Sequence, residues 1–355
     1  MGNLGWRPGP AGWPAGKRSG MTTLCITPRV HGTGGMVSFF YKFSAALERR
    51  GITVTTEVND PSITAALILG GTRNLAGLWR LKRRGVRLVQ RLDGINWIQR
   101  VKPAGWRHAW RAESGNLALA FIRRFLADEI IYQSEFSRRW WNGWYGELKT
   151  PFAVRHNGVD LNIYRPSEQV ESPVYRLLVV EGAFGGGYEG GLENAVRLAE
   201  ATAPLLGRPL ELAVAGEVAE SLRVEWSGKS AAPIRWLGKL PREAVPALMN
   251  SAHALFSADV HPACPNAVIE ALACGLPVVA YDTGSLSELV PDSAGRIAPY
   301  AANPWRLETP SVGPLARGLA VILQNQAGFR AGARARAEAA FGLDAMTETY
   351  LEHLF

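Results

Sequence analysis

Short apolar, β-branched runs alternate along this chain with longer stretches of helical period. MTTLCIT (21–27) reads as a buried strand, followed by a Gly-rich turn and a helix through SFFYKFSAALERR. ITVTTEV, AALILG, VRLVQ and EIIYQ follow as further strands, with helical stretches between them. The pattern restarts at YRLLVVEG (175–182) and continues through ELAVAG, IRWLG, ALFSA and LPVVAYD. Such alternation predicts parallel sheets covered on both faces. The segment joining the two series, RHNGVDLNIYRPSEQVESP, carries Asn157-Gly158, Pro166 and Pro173 and reads as a linker. Two doubly wound sheets in tandem place a ligand cleft between their strand C-termini. The last stretch, LDAMTETYLEHLF, reads as an amphipathic helix.

Length and composition leave this picture in place: 355 residues, 47% hydrophobic and 20% charged, suit two globular domains. Cys25, Cys264 and Cys274 give neither a disulfide framework nor a zinc site, so a reducing cytoplasm is expected. No apolar run approaches the ~18 residues of a membrane span. Residues 1–20 are rich in Gly, Pro and Trp and lack the apolar core of a signal peptide. They read as a disordered tail, or as an upstream extension before a start at Met21.

Charge adds an asymmetry. Residues 21–165 hold 22 Lys and Arg against 10 Asp and Glu, and residues 166–355 hold 14 against 21. A basic front half beside an acidic back half points to an anionic partner at the front: a membrane surface, a phosphorylated acceptor or nucleic acid. A solvated basic face without a partner accounts for it equally well. The cluster RLKRRGVR (80–87) is the one feature for nucleic acid, and its cations also suit a helix C-terminus.

Candidate chemistry falls in three places. Gly34-Gly35 lies between a strand and a helix, where backbone N–H groups approach an anion or where the chain simply turns tightly. In SADVHPACPNAVIEALACGLPVVAYDTGSLSELV (257–290), Cys264-Pro265-Asn266 breaks the chain before a helix that carries Glu270, and Thr283-Gly284-Ser285 opens a second short helix. A carboxylate so placed accepts bonds from two ribose hydroxyls, and a small polar turn at a helix start holds a diphosphate. In VQRLDGINW (89–97), Asp93 and Arg91 follow a strand and face the expected cleft, Asp93-Gly94 being equally good turn chemistry. Ser134 reads as a helix cap. Trp140, Trp141 and Trp144 read as core or as an aromatic surface.

EALACGLPVV and GSLSEL resemble the donor-binding region of GT-B glycosyltransferases of family 4, whose pattern is Glu-x7-Glu, then EAxAxGxPVV and a GxxxEL turn. Gly34-Gly35, HNGVDLNIYRP, VAGEV (214–218), IRWLGKLPREAVPALMNSAHALFSA and the C-terminal helix match further family segments in the same order. The resemblance covers most of the chain from Met21 onward. It implies an α/β chain of GT-B type, two Rossmann-like doubly wound domains facing across a cleft: an acceptor domain at 21–165 joined by the helix at 342–355, and a nucleotide-sugar-binding domain at 166–341. By it, Glu270 holds the ribose hydroxyls, backbone near Leu237 meets the base, and Gly216 lines the nucleotide pocket. Thr283, Gly284 and Ser285, with Asn266 nearby, contact the donor. No cofactor or metal is required beyond the nucleotide-diphosphate sugar, and configuration is retained. The acceptor is unspecified, anionic or membrane-linked, with the protein cytoplasmic or peripheral at the inner membrane face.

The chain departs from the family in two places. Pro262 stands where the first Glu of Glu-x7-Glu belongs, leaving His261 or the backbone around Ala263 as substitutes; His261 and Asp93 are the expected catalytic residues. Ala183 and Glu189 or Gly190 stand where the family places an Arg and a Lys, and residues 177–196 hold no cation. Backbone N–H groups of Gly185-Gly186-Gly187, or Lys239, Arg91 or Arg155, are the candidate replacements. Two other classes stay open: a non-catalytic nucleotide-sugar-binding protein, and a sugar-nucleotide 2-epimerase of the same fold.

Overall fold

The computed structural model describes residues 22–32, 34–102, 105–168, 172–185 and 189–355. The segment read as a tail or extension therefore lies outside the described residues. Two six-stranded sheets dominate. The first holds β1 (Thr23–Thr27), β2 (Thr53–Thr55), β3 (Ile63–Leu69), β4 (Arg87–Leu92), β5 (Glu129–Tyr132) and β6 (Phe152–Val154), in the order β2-β1-β3-β4-β5-β6. The second holds β7 (Tyr175–Phe184), β8 (Leu210–Val218), β9 (Ile234–Gly238), β10 (Ala254–Phe256), β11 (Val278–Tyr281) and β12 (Gly295–Ala298), in the order β12-β11-β10-β7-β8-β9. Every pairing is parallel.

Helices α1 (Gly35–Glu48), α2 (Leu75–Arg83), α3 (Trp106–Phe121) and α4 (Glu135–Tyr145) belong to the first series. The second carries α5 (Glu189–Thr202), α6 (Glu220–Lys229), α7 (Val245–Asn250), α8 (Asn266–Ala273), α9 (Leu286–Leu289), α10 (Gly313–Gln324) and α11 (Gln326–Ala340), and the chain ends on α12 (Leu343–Leu354). Strands buried on both faces, such as TLCIT in β1 and VVAY in β11, are continuously apolar or nearly so, as parallel sheets require. The sequence pattern marked ten of the strands; β6 and β12 escaped it. Both are edge strands of three or four residues, FAV and GRIA, too short to show a period.

α12 crosses to the first sheet, where Leu343, Met346, Tyr350, Leu351 and Leu354 share a core with β1, β3 and α1. Arg50, just past the C-cap of α1, clasps its outer side through Glu348 at 2.7 Å and Asp344 at 3.0 Å. The first part of the segment read as a linker, residues 156–164, is a packed seam. Asn157 and Val159 are buried, Val159 bridges to Gly342, and Arg334 of α11 donates to the carbonyls of Tyr164 and Ala273.

Candidate functional site

Each sheet has one point where the strand order reverses, between β1 and β3 in the first and between β7 and β10 in the second. Loops leave in opposite directions at such a point and open a crevice at the strand C-termini. One cleft of about 980 Å³ is lined by both crevices: Gly34, Gly35, Gly70 and Gly71 from the first sheet, and Glu181, Gly182 and Ser257 to Glu270 positions from the second. That volume suits a ligand of nucleotide-sugar size.

Glu270 lies on α8, within the cleft, as the sequence predicts. Its Oε1 accepts from Lys42 Nζ of α1 at 2.7 Å, the two side chains 12% and 19% exposed. Burial, and after it the nearby Glu270 charge, push the Tyr164 hydroxyl far up. Asn266 opens α8; its Oδ1 accepts from Asn157 Nδ2 at 3.1 Å, which also donates to the Cys264 carbonyl at 2.9 Å. Gly34 and Gly35 sit at the N-terminus of α1 on the cleft wall. Gly216 lies on the opposite wall at φ 143°, and a Cβ there would stand 2.3 Å from the Glu181 carbonyl. Only glycine permits that approach of β8 to β7.

The side chain of Leu237 packs against the core, and two residues beyond it Lys239 and Leu240 line the cleft. Another expectation needs correction. Thr283, Gly284 and Ser285 do not line the cleft. Ser285 is fully buried, its N–H donates to the Pro262 carbonyl at 2.9 Å, and a Cβ on Gly284 would stand 2.5 Å from Pro262. The residue in the place of the family's first Glu thus seals the turn meant to hold the diphosphate. Glu288, at the end of that turn, reaches across to the first half and accepts from the N–H groups of Glu135 and Phe136 at 2.8 and 2.6 Å. It caps α4 together with Ser134, whose Oγ accepts from Ser137 N–H.

His261 lies on the cleft wall with φ 63°, but its ring stacks on Trp305 at 3.7 Å and on Phe136 at 5.7 Å. Both ring nitrogens are shielded from solvent and unpartnered, and burial pushes the imidazole down to about 4. Burial thus favours the neutral imidazole, stacked into the aromatic wall of the cleft. Asp93 does line the cleft, and burial raises its carboxyl, with Arg91 pulling the other way.

Of the candidate cations, only Lys239 lines the cleft. Arg91 is 2% exposed; it donates to Asn157 Oδ1 at 2.5 Å and stacks on Phe39 at 3.8 Å. Arg155 is on the surface, bonded to the Val154 carbonyl. Gly186 and Gly187 of the proposed glycine nest lie outside the described residues. Lys42, Arg111 and Arg242 join Lys239 on the cleft wall and carry no mark in the sequence pattern.

The structure adds a pair that sequence reasoning missed. Glu181 ends the regular part of β7 and Asp259 follows β10, so both flank the switch point of the second sheet and line the cleft. Burial raises both carboxyls, and Asp259 raises Glu181 further. The readable signal was a carboxylate toward the C-terminal end of each of two strands that meet at a reversal of strand order. Trp140 and Trp141 are core, whereas Trp144 is partly exposed under the Arg100 guanidinium. In the basic cluster 80–87, Lys82 bonds Asp128 and the Leu126 carbonyl, Arg84 the carbonyls of Asp60 and Pro61, and Arg87 Glu129. Those cations are spent on structure.

Residues 183–306 match the family model described as Glycosyl transferases group 1. No curated protein matches the sequence. Among solved structures, sucrose-phosphate synthase from Thermosynechococcus elongatus superposes with a TM-score of 0.72 at 16% identity, over 94% of this chain and 98% of that one. HepE from Anabaena, in complex with UDP-glucose, gives 0.67 at 16% identity over 94% and 99%. WaaG, a glycosyltransferase involved in lipopolysaccharide biosynthesis, gives 0.64 at 16% identity over 94% and 99%. The fold is GT-B, and residues 183–306 are similar to the group 1 domain.

Proposed function

We propose that this chain, a glycosyltransferase by its group 1 domain and GT-B fold, takes a sugar from a nucleotide-diphosphate sugar and passes it to an acceptor. The observation that carries the reading is the Glu270 carboxylate on α8, inside a cleft formed at the switch points of both sheets. In that reading Glu270 binds the ribose hydroxyls, with Gly216 lining the nucleotide pocket and the end of β9 meeting the base. The N-terminus of α1 at Gly34-Gly35, together with Lys239, meets the diphosphate, where a helix N-terminus and a cation both favour negative charge. Asp93, its carboxyl raised by burial, faces the acceptor side. Resemblance to family 4 adds retention of configuration, independence of metal, and an anionic or membrane-linked acceptor in the cytoplasm or at the inner membrane face. HepE has been solved with UDP-glucose, which makes a UDP-sugar the first donor to try.

The test is incubation with UDP-, GDP-, ADP- and dTDP-sugars while following release of the nucleotide diphosphate, alongside thermal stabilisation by each free diphosphate. Stabilisation with slow release from one donor is the expected result; no stabilisation by any of the four overturns it. A second reading, binding without transfer, has its own observation. Ala183 replaces a cation, while Glu181 and Asp259 line the same wall. Binding without release, even with acceptors supplied, is its signature.

A further inference from the structure

Helix α3 and the π-helical turn Ile122–Leu126 that continues it carry an exposed apolar stripe. Trp106 is 76% exposed, Trp110 69%, Leu117 63%, Phe121 43% and Phe125 58%. Steps of four and seven residues keep these side chains on one face of a helix. Phe121 and Phe125 confirm it by ring contact, their centroids 5.0 Å apart. The opposite face holds the helix down: Asn116 is buried and bonds both polar ends of Asn96, and Ile122 and Leu126 are core. Water gains nothing from such a stripe, and exposed apolar patches of this extent mark interaction surfaces.

Charge selects the partner. Exposed Arg107 and Arg124 lie against Trp106 and Phe125, the guanidinium carbons 5.3 and 5.7 Å from the ring centroids. The single acid of α3, Glu113, is held by Arg100 at 2.6 Å. Aromatic side chains interleaved with arginine, without a free carboxylate, complement an interface that is apolar beneath and anionic on top. We propose that this face of α3 seats the protein on an anionic lipid surface.

The same helix also places His108, Arg111 and Ala112 on the wall of the cleft. A bilayer on the stripe would therefore bring lipid headgroups to the cleft mouth. In this respect the inference deepens the acceptor half of the proposed function; the surface itself does not depend on it.

The test is sedimentation of the full chain with vesicles of phosphatidylcholine alone and with about one third phosphatidylglycerol. Binding to the anionic vesicles, and little to the neutral ones, is expected. R107Q/R124Q should weaken that binding about 25-fold, from about fivefold per arginine near an anionic leaflet. W106A/W110A/F125A should abolish it, with circular dichroism and thermal melting unchanged. Equal binding to both vesicles, absence of binding, insensitivity to both variants, or a dimer that W106A/W110A/F125A dissociates would each overturn the proposal. Stabilisation by nucleotide diphosphates is read separately, so failure of the donor site and failure of the membrane face are distinguishable.

Discussion

Lys42 of the first half and Glu270 of the second meet across the cleft, Nζ to Oε1, at 2.7 Å. The proposed ribose ligand is thus already engaged by a cation, and a nucleotide must compete with that cation. The pair is mostly but not wholly buried, so its net strength is modest, about 1 kcal/mol. Lys42→Met is expected to tighten UDP binding about fivefold in titration calorimetry. Weaker binding in the variant would assign the ammonium to the diphosphate instead.

Glu270→Ala removes the acceptor of the ribose hydroxyls. Hydrogen bonds to a charged group are worth about 1.5–3 kcal/mol, so affinity for the nucleotide diphosphate should fall roughly ten- to hundredfold. The melting transition should persist, since α8 keeps its apolar face in the core. Unchanged affinity would sink the assignment.

The Glu181–Asp259 pair makes a signed prediction about pH. Both carboxyls are raised by burial in the folded protein. Between the ordinary carboxylate range and neutrality, the native state therefore holds protons that the unfolded chain has released. Stability from this pair is complete below the unfolded pKa values and is lost as pH rises through the folded ones. Denaturant midpoints should decline from about pH 5 to about pH 8, and Glu181→Gln should flatten the decline. Nucleotide-diphosphate affinity should fall over the same range as the pair becomes anionic; affinity that climbs instead would place the diphosphate away from it.

Asn157→Ala tests the seam. Its Oδ1 is the hydrogen-bond partner of the buried Arg91 guanidinium, whose Nε already lacks one. Leaving a buried charge without its acceptor costs about 2–3 kcal/mol. A loss below about 0.5 kcal/mol in chemical denaturation would mean that water replaces the amide.

What the sequence revealed follows from how far each signal travels along the chain. β1, β3 and β11 are read by their apolar runs because burial on both faces leaves few polar positions. β6 and β12 are too short and too close to the sheet edge for that. Glu270 was legible because it rides on a local pattern, EALACGLPVV. Lys42 and Glu288 were not, because their partners lie 228 and about 150 positions away and only the fold brings them together. The Thr283–Ser285 turn misled for a local reason: nothing in its own composition tells that Pro262 covers Gly284. The stacking of His261 was not legible because its partner, Trp305, follows 44 positions later, on a short turn after β12.

α12 makes the first half depend on residues synthesised after the whole second half. Its five apolar side chains complete the core around β1, β3 and α1. An emerging chain can pair β1 to β6 early, but the floor of that core stays open until α12 leaves the ribosome. The second half, contiguous from β7 to α11, has no such wait. Domains ordinarily fold from the N-terminus during synthesis. Here the natural order is inverted, and the front half is the one that a nascent-chain chaperone would have reason to hold.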